Sequence, residues 1–326
     1  MSANEFALIN DYFKVISGKG RNVVLGIGDD AAVTTVPPGY QLVTTVDTLV
    51  QSIHFDNQVK PQDLAHKAVA VNLSDLASMG AEPAWITLSL TIPDVDHQWL
   101  AAFSEGLALQ CHYFDIELIG GDTCRGNTSI TIQAMGFVPE NMAIKRSNAQ
   151  VGDLIYVTGT LGDAGAGLEL NQQDRNDYSE DETYLLNRLH RPTPRVETGI
   201  HLRKLANAAI DISDGLVQDL QHILDASSVG AQIDMAKLPL SQQLNSTFNE
   251  KQARSFALTS GDDYELCFTI PVKLRQNLER TFATTNTAIT QIGHIVSSKG
   301  LQIKNNTYKL DLEKHGYDHF QSTLQE

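Results

Sequence analysis

The first half of the chain alternates between two hydrophobic periods, one typical of strands and the other of helices. A period of two predicts strands at residues 40–50 (YQLVTTVDTLV) and 129–138 (SITIQAMGFV). A spacing of three and four predicts helices at residues 61–79 and 94–114. The first of these helices opens on Pro61, a residue favoured in the first helical turn. This mixture predicts an α/β or α+β domain.

A second region of strands and helices begins near residue 148, where NAQVGDLIYVTGTLGDAGAGLEL predicts a turn, a strand, a glycine-rich loop and a helix. Farther on, NAAIDISDGLVQDL predicts a strand, a turn and a helix, with Ser213 or Asp214 as the helix cap. One face of that helix is apolar, comprising Leu216, Leu220, Ile223 and Leu224. We therefore predict two domains, 1–147 and 148–326, the second of the α+β class.

Composition narrows the class of protein. The 326 residues are 42% hydrophobic and include 24 Lys and Arg against 39 Asp and Glu, for a net charge of −15. Such a chain repels nucleic acid and anionic membranes, and it needs bound cations or a few arginines to hold an anionic small molecule. Three cysteines without a Cys-x-x-Cys spacing favour neither a disulfide framework nor a zinc site. With no signal-like or membrane-length apolar segment in the sequence, we expect a cytoplasmic protein.

Glycine and aspartate occur together in four separate motifs. These are LGIGDDAAV at 25–33, LIGGDT at 118–123, DISDG at 211–215 and SGDDYEL at 260–266. A single Gly-Asp step is ordinary turn chemistry, but four of them suggest a common cause. Carboxylate oxygens without histidine or cysteine clusters are the ligands that Mg²⁺ prefers, so magnesium with a phosphate substrate is the favoured interpretation.

Two aspartates stand at unusual positions in the predicted elements. Asp75 falls on the same stripe as Leu64, Ala68 and Asn72 of the helix at 61–79, so its carboxylate needs a proton, a cation or a metal ion. A buried ion pair, or a helix rolled far enough to expose Asp75, is the alternative, but a metal ion is favoured because few basic residues lie nearby and the surrounding turns offer more carboxylates than cations. Asp47 interrupts the β-branched run at 40–50, where an exposed edge-strand residue is the ordinary alternative.

The glycine-rich stretches exclude some familiar sites. LIGGDTCRG predicts a buried strand that ends at Gly120 and Gly121, where a missing Cβ lets a ligand approach the backbone. GTLGDAGAG at 159–167 has neither the lysine of a nucleotide P-loop nor the dinucleotide spacing, and it could equally serve to pack a helix on a sheet. No Gly-x-Ser-x-Gly elbow supports serine hydrolase chemistry.

Taken together, the motifs resemble those of the thiamine-monophosphate kinase family, within the aminoimidazole ribonucleotide synthetase-like superfamily. They include EFALINDYF, LGIGDDAAV, TVDTLVQSIHF, AVNLSDLASMGAEPAWITLSL, LIGGDTCRG, KRSNAQVGDLIYVTGTLGD, AIDISDGLVQDL, SGDDYELCFT and GYDHF, in order from residue 5 to 320. The resemblance implies an N-terminal domain that binds ATP and magnesium and forms a β-barrel across a homodimer. It also implies a C-terminal α+β domain that completes the active-site cleft.

The same resemblance implies roles for individual residues. The implied magnesium ligands are Asp30, Thr45, Val46, Asp47, Asp75, Asp122, Asp211 and Asp214, and those implied in catalysis are Asp30, Asp47, Asp75, Asp122 and Asp214. The implied ATP contacts are Gly121, Asp122, Arg146 and Ser213, and the implied thiamine phosphate contacts are His54 and Asp262. Val46 stands where relatives often have threonine, and Asp262 where many have glutamate. Relatives also often carry a tryptophan shortly before GYDHF, where this chain has LEKHGYDHF.

The implied activity is phosphorylation of thiamine phosphate to thiamine diphosphate by in-line transfer from ATP, assisted by several Mg²⁺ ions. One alternative is another ATP-dependent synthetase of the superfamily that acts on a different phosphorylated acceptor. Selenophosphate synthesis is disfavoured, because it expects a reactive cysteine near the N-terminus and the chain has none there. A second alternative is a cation-binding interaction module without catalysis, although no Asp-x-Asp-x-Asp-Gly loop supports it.

Overall fold

The computed structural model describes residues 8–14, 16, 22–173, 175 and 177–304. These described residues form two compact units, one within the ranges 1–143 and 190–204 and the other within 144–189 and 205–304. Residues 190–204, which the predicted boundary at 147 assigns to the C-terminal domain, thus group with the first unit.

The first unit is a four-stranded mixed sheet with two long helices. Its strands run in the order β3-β6-β4-β5, with β4 and β5 parallel and the other neighbours antiparallel, while β1 and β2 form a separate hairpin. In this part of the chain the described strands form an open sheet rather than a closed barrel. The elements are β1 (Val23–Leu25), β2 (Val33–Thr34), β3 (Tyr40–Val50), α1 (Pro61–Ser78), β4 (Glu82–Ile92), α2 (His97–Phe114), β5 (Glu117–Arg125) and β6 (Ser129–Pro139).

The alternation of side chains along β3 determines which face of the strand is buried. Leu49 is buried on one face, whereas Leu42 and Val46 are exposed on the other. Helix α1 packs on β3, β6 and α2 and is buried on most of its circumference. Helix α2 begins at His97, three residues later than predicted, because the Asp96 carboxylate accepts the first free backbone N–H groups of the helix. The predicted strands 40–50 and 129–138 and both predicted helices are confirmed.

The second unit is built on a six-stranded sheet in the order β12-β9-β11-β7-β10-β8, in which only β12 and β9 are parallel. The predicted apolar face of the helix after β8 is confirmed, since its four residues are all buried. The elements from residue 154 are β7 (Leu154–Thr158), α3 (Asp163–Asn171), α4 (Glu180–His190), α5 (Val196–Leu202), β8 (Ala208–Asp211), α6 (Leu216–Ser227), β9 (Gly230–Asp234), α7 (Gln242–Thr247), α8 (Glu250–Thr259), β10 (Leu266–Ile270), α9 (Arg275–Phe282), β11 (Ile289–Val296) and β12 (Gly300–Lys304).

Helix α5 belongs to the first unit because it packs closely on α1. A Cβ atom on Gly199 would lie 2.0 Å from the carbonyl oxygen of Ala77, so only glycine permits this approach. Arg203 continues the contact by donating from Nε to the Gly80 carbonyl at 2.5 Å. None of the helices among the described residues has the length and hydrophobicity of a membrane span.

Candidate active site

The first pair of predicted site residues joins a strand to a helix. The Thr45 hydroxyl on β3 donates a hydrogen bond to the Asp75 carboxylate on α1. Asp47 lies two residues farther along the same face of β3 and is half-buried, as Thr45 is. The structure therefore gathers three of the predicted oxygen ligands where β3 meets α1.

Val46 does not share this arrangement. Its side chain is 59% exposed on the opposite face of β3 and contains no oxygen, so only its backbone carbonyl could bind a cation. The alternation of side chains along a strand accounts for this difference between Val46 and its neighbours Thr45 and Asp47.

Asp75 is less buried than its position on the helix suggests. Because α1 is buried on most sides, the stripe that contains Leu64, Ala68 and Asn72 is not a distinct core-facing stripe. Asp75 itself is half-buried and accepts the Thr45 hydroxyl bond. The argument for a metal from deep burial of this carboxylate is therefore weaker than the sequence suggests, and partial exposure of Asp75 is the better description.

Asp30 lies in the loop of the β1–β2 hairpin. Its backbone N–H donates to the Asp29 carboxylate at 2.9 Å, and its own side chain is exposed. Gly28 has a φ of 130°, which favours glycine at this position. The hairpin thus presents Asp30 to solvent, where a carboxylate can meet a cation without a large desolvation cost.

Gly121 and Asp122 lie within β5, which continues through the glycines to Arg125 instead of ending there as predicted. The reason is parallel pairing with β4, which a local sequence pattern does not reveal. A Cβ atom on Gly121 would lie 1.9 Å from the Leu88 carbonyl oxygen, so close strand packing explains this glycine. Asp122 is exposed and accepts a hydrogen bond from the Cys124 thiol at 2.9 Å.

His54 folds back over the end of β3. Its Nδ1 accepts the backbone N–H of Val50 at 2.9 Å. In the neutral ring the proton therefore resides on Nε2, which is the nitrogen able to donate to an anionic ligand.

In the second unit, two predicted site turns are joined by their backbones. The Asp262 N–H donates to the Ser213 carbonyl at 2.8 Å, and the Tyr264 N–H donates to the Ile212 carbonyl at 2.9 Å. Asp262 has a φ of 67°, and a Cβ atom on Gly261 would lie 2.1 Å from the Ser213 oxygen. The structure thus brings together the predicted ATP residue Ser213 and the predicted acceptor residue Asp262.

The same turn leads from the buried Asp211 into α6, and its cap differs from the prediction. Neither Ser213 nor Asp214 caps the helix, because Gly215 occupies the N-cap position. The Asp219 carboxylate, in the first turn of α6, instead accepts the N–H groups of Asp214 and Gly215, both at 3.0 Å. Burial, together with the negative charge of Asp214, raises the pKa of Asp219 to about 7.

Arg146 opens a short 3₁₀ turn, Arg146–Asn148, and is exposed. The turn is fixed to α6 by Ser227, whose hydroxyl donates to the Arg146 carbonyl at 2.8 Å and accepts from the Ala149 N–H at 3.1 Å. An open polar cavity of about 370 Å³ follows it, lined by Ser147, Asn148, Ala149, Gln150, Ala206 and Asn207.

Sequence reasoning missed a buried cluster of charges behind Asp262. Arg188 donates from Nη2 to Glu265 at 3.0 Å and places Nε 3.7 Å from Asp163. Asp263 is 1% exposed and accepts the backbone N–H groups of Gly162 and Ala164 at 2.6 and 3.2 Å. Burial raises the pKa of Asp263 to about 8 and also raises that of Asp163. The motif SGDDYEL contains Asp262, Asp263 and Glu265, and only Asp262 was predicted as a site residue.

The glycine-rich stretch 159–167 is explained by packing. A Cβ on Gly162 would lie 2.6 Å from the Ala257 nitrogen, and one on Gly165 would lie 2.3 Å from the Ser260 Cβ. Both glycines therefore let α3 and its preceding loop contact the segment that leads to Asp262. Of the two interpretations left open by the sequence, helix packing is favoured over phosphate binding.

The predicted magnesium ligands suit that ion by chemistry. Every side-chain donor among them is a carboxylate or hydroxyl oxygen, the ligand type of a hard cation that also retains water and binds phosphate. Among the described residues, no three or more His, Cys, Asp or Glu side chains are grouped so as to hold a metal ion by themselves. The residues thus fit Mg²⁺ in ligand type, with substrate oxygens needed to complete its coordination.

Comparison with known proteins identifies the class to which this fold and site belong. Residues 28–138 match the AIR synthase related protein N-terminal domain, and residues 150–305 match the corresponding C-terminal domain. The chain is 47% identical over 323 residues to the thiamine-monophosphate kinase of Escherichia coli K12, covering 98% of this chain and 99% of that protein.

Solved structures agree with this class. A thiamine-monophosphate kinase from Stenotrophomonas maltophilia K279a has a TM-score of 0.86 at 42% identity, covering 91% of this chain and 96% of that one. AaThiL complexed with AMPPCP and TMP has a TM-score of 0.77 at 32% identity, with 97% of both chains covered. The chain belongs to the thiamine-monophosphate kinase family. The GYDHF motif, which contributed to the resemblance in sequence, lies outside the described residues.

Proposed function

We propose that this protein transfers the γ-phosphoryl group of ATP to thiamine phosphate, which yields thiamine diphosphate and ADP. The observation that carries the proposal is the 47% identity to a thiamine-monophosphate kinase along nearly the whole chain. The complex of AaThiL with AMPPCP and TMP supports the choice of a nucleotide and this acceptor. An acidic chain that presents oxygen ligands in both units agrees with a reaction between two anions that need cations to approach each other.

The chemistry requires position and charge neutralisation rather than a base. A phosphate oxygen of thiamine phosphate, ionised near neutral pH, forms a bond to the γ-phosphorus. The bond from that phosphorus to the β–γ bridging oxygen breaks, and the electron pair leaves with ADP. Arg146 supplies a fork of donors suited to phosphate, while His54 and Asp262 hold the acceptor.

The two units contribute different groups to this proposal. The first unit supplies Asp30, Thr45, Asp47, Asp75 and Asp122 as cation ligands, together with the backbone carbonyl of Val46. It also supplies Gly121, next to Asp122, as an ATP contact. The second supplies Asp211, Ser213 and Asp214. Several magnesium ions, when bound, would neutralise and orient the phosphates. These assignments and a cytoplasmic location remain predictions.

The activity is tested by measuring ADP release with thiamine phosphate as the acceptor. We expect turnover with thiamine phosphate and Mg-ATP, and none when magnesium is removed by chelation. A parallel reaction with formylglycinamidine ribonucleotide distinguishes the superfamily synthetase. Turnover of that acceptor comparable to that of thiamine phosphate would contradict the proposal, and so would the absence of ADP release with both.

We also propose that the protein is a homodimer that associates through the outward face of the first unit. Apolar side chains remain exposed on β3 and on the neighbouring hairpin, including Val46 at 59% and Val24 at 70%. Leu42 on the same face of β3 is 44% exposed. Exposed apolar residues grouped on one sheet face are typical of a surface that a partner covers.

Replacing Leu42 with glutamate should convert this dimer to monomers. A charge on the outward face of β3 would be desolvated in the interface, which strongly opposes association. Sedimentation equilibrium measures the mass directly. The matched control is Leu168→Glu, which introduces the same charge at a residue that is 45% exposed in the second unit and should leave the dimer intact. A wild-type protein that is monomeric, or a Leu42→Glu variant that remains dimeric, contradicts association through this face.

A further inference from the structure

Asp219 holds the backbone of the turn that carries Asp214. Asp219 is in the first turn of α6, and only 2% of the residue is exposed. One of its carboxylate oxygens accepts the N–H groups of both Asp214 and Gly215 at 3.0 Å. Successive N–H groups that converge on one anion form a nest, which fixes the backbone of the residues involved. Asp219 is therefore an internal hydrogen-bond acceptor for the turn.

The turn has little freedom once this carboxylate is in place. Gly215 adopts a φ of 122°, and a Cβ atom there would lie 2.9 Å from the Thr259 carbonyl carbon. Gln218 donates from Nε2 to the Asp214 carboxylate at 3.1 Å, which orients that side chain from the other direction. The backbone of Asp214 is held by Asp219 and its side chain by Gln218.

The same turn is hydrogen-bonded to Asp262, the predicted contact of thiamine phosphate. The Ser213 carbonyl accepts the Asp262 N–H at 2.8 Å, so a shift of the turn would also displace Asp262. Burying an aspartate requires its carboxyl group to be desolvated, whereas an apolar side chain would fill the same space without that cost. Packing alone therefore does not explain Asp219. The Asp219 carboxylate accepts hydrogen bonds from the turn, which indicates a role there.

We propose that Asp219 is a positioning residue for phosphoryl transfer, which holds the Ser213–Gly215 backbone so that Asp214 and Ser213 present their oxygens to Mg-ATP. This inference rests on the proposed function. Asp219 contacts the turn and not the reacting atoms, so its requirement is a hydrogen-bond acceptor at one place rather than a negative charge.

This requirement separates two substitutions. Asp219→Asn keeps a carbonyl oxygen that can accept both N–H groups, whereas Asp219→Leu fills a similar space and leaves both N–H groups without their acceptor. We expect Asp219→Leu to lower kcat/KM for Mg-ATP by about 30- to 100-fold, the scale of losing buried hydrogen bonds that orient a site. Asp219→Asn should remain within about fivefold of the wild type, because its acceptor is retained.

A matched control lies on the same helix. Asp225 is exposed and accepts a hydrogen bond from Gln221 at 2.7 Å. Asp225→Asn and Asp225→Leu should both leave kcat/KM for Mg-ATP unchanged, since neither touches the turn. A loss of activity in the Asp225 variants equal to that in Asp219→Leu would overturn the specific role of Asp219.

Two measurements do not depend on turnover. Hydrogen exchange should be slow at the amides of Asp214 and Gly215 in the wild type and in Asp219→Asn, and at least about tenfold faster in Asp219→Leu, because an amide without its buried acceptor exchanges through smaller openings. Calorimetric binding of Mg-AMPPCP should weaken in Asp219→Leu and be preserved in Asp219→Asn.

The outcomes separate this proposal from the proposed function. A wild type that fails to phosphorylate thiamine phosphate contradicts the proposed function, whereas the exchange and AMPPCP measurements still test Asp219. If Asp219→Leu does not fold, two other results can overturn the positioning role. One is fast exchange at the amides of Asp214 and Gly215 in the wild type. The other is a loss of Mg-AMPPCP binding in Asp219→Asn that equals the loss in Asp214→Asn. Slow exchange and retained binding support the positioning role.

Discussion

Replacing Asp75 with asparagine should remove most phosphoryl transfer while the metal-free protein remains as stable as the wild type. Asparagine preserves the shape of the side chain and can still accept the Thr45 hydroxyl bond, but it removes a negative charge. Losing one charged group that stabilises the transition state lowers kcat by about 100- to 1,000-fold. Because Asp75 is only half-buried, water can solvate either side chain in the folded protein, and the substitution should change metal-free stability little.

Two experiments decide this prediction. Turnover is measured with saturating thiamine phosphate and Mg-ATP, and thermal unfolding is measured in chelator and in Mg-ATP. Mg-ATP should raise the melting temperature of the wild type through binding to the folded state, and that of Asp75→Asn much less. A marked loss of stability of Asp75→Asn in chelator would instead identify Asp75 as a structural partner of its neighbours.

The control is the same substitution at the other end of α1. Asp63 forms an ion pair with Arg191 at 2.7 Å, in which the Arg191 side chain is 45% exposed. Since exposed ion pairs contribute about 0–1 kcal/mol, Asp63→Asn should have a small effect on melting and none on turnover. An equal loss of turnover in both variants would mean that α1 tolerates no change of charge, and the specific role of Asp75 would be rejected.

The largest effect on stability is expected from Arg188→Met. The guanidinium is mostly buried and faces Glu265 and Asp163, whose side chains are fully buried. Removing one partner from a buried ion pair leaves uncompensated charge and costs about 3–5 kcal/mol. Chemical denaturation at pH 8.5 measures the change in the free energy of unfolding directly.

The size of this loss should depend on pH in a defined direction. Asp263 has a pKa raised to about 8 in the folded protein, against an ordinary value of 3.8, and that of Asp163 is raised as well. Between these values the folded state binds a proton that the unfolded state has released, so stability falls as the pH rises through this window. At pH 5.5 Asp163 and Asp263 can hold protons in Arg188→Met, so less negative charge is left without a partner, and the loss should be smaller than at pH 8.5.

The control for Arg188 is Arg275→Met. Arg275 pairs with Glu279 at 2.9 Å, and both side chains are more than half exposed. Because this pair is exposed to solvent, Arg275→Met should leave the free energy of unfolding close to that of the wild type at either pH. If Arg188→Met and Arg275→Met lower the free energy of unfolding equally, the buried cluster does not stabilise the second unit. If the loss in Arg188→Met is the same at both pH values, the protonation argument is wrong.

Local sequence patterns correctly predicted the elements whose structure depends mainly on the residues within the element itself. The alternation at 40–50 locates β3, and the apolar face of α6 is buried as its spacing indicates. The predicted end of a strand at Gly121 was wrong, because parallel pairing with β4 extends β5 and does not depend on local sequence. The cap at Ser213 or Asp214 was wrong because Asp219 accepts the N–H groups from inside the helix.

The sequence proposes the candidate site as a set of residues, not as a set of contacts, and their roles stay predictions. Most of the aspartates were found by their repeated association with glycine, Asp47 and Asp75 by their positions in a predicted strand and helix, and their separate roles come from the family resemblance. The bond between Thr45 and Asp75 joins two elements 30 positions apart, and Arg188 meets Glu265 over a separation of 77. Such pairs are set by tertiary packing, and no periodic pattern in a single sequence indicates which distant residues will meet.

The position of α5 affects how the chain folds during synthesis. Helix α1 emerges early, but the helix that packs against Ala77 through Gly199 emerges only after residues 144–189 have been made. Until then the surface of α1 that α5 later covers is exposed on a growing polypeptide. The first unit therefore cannot complete its fold before part of the second has been translated, and this interval is when a nascent chain would need protection from aggregation.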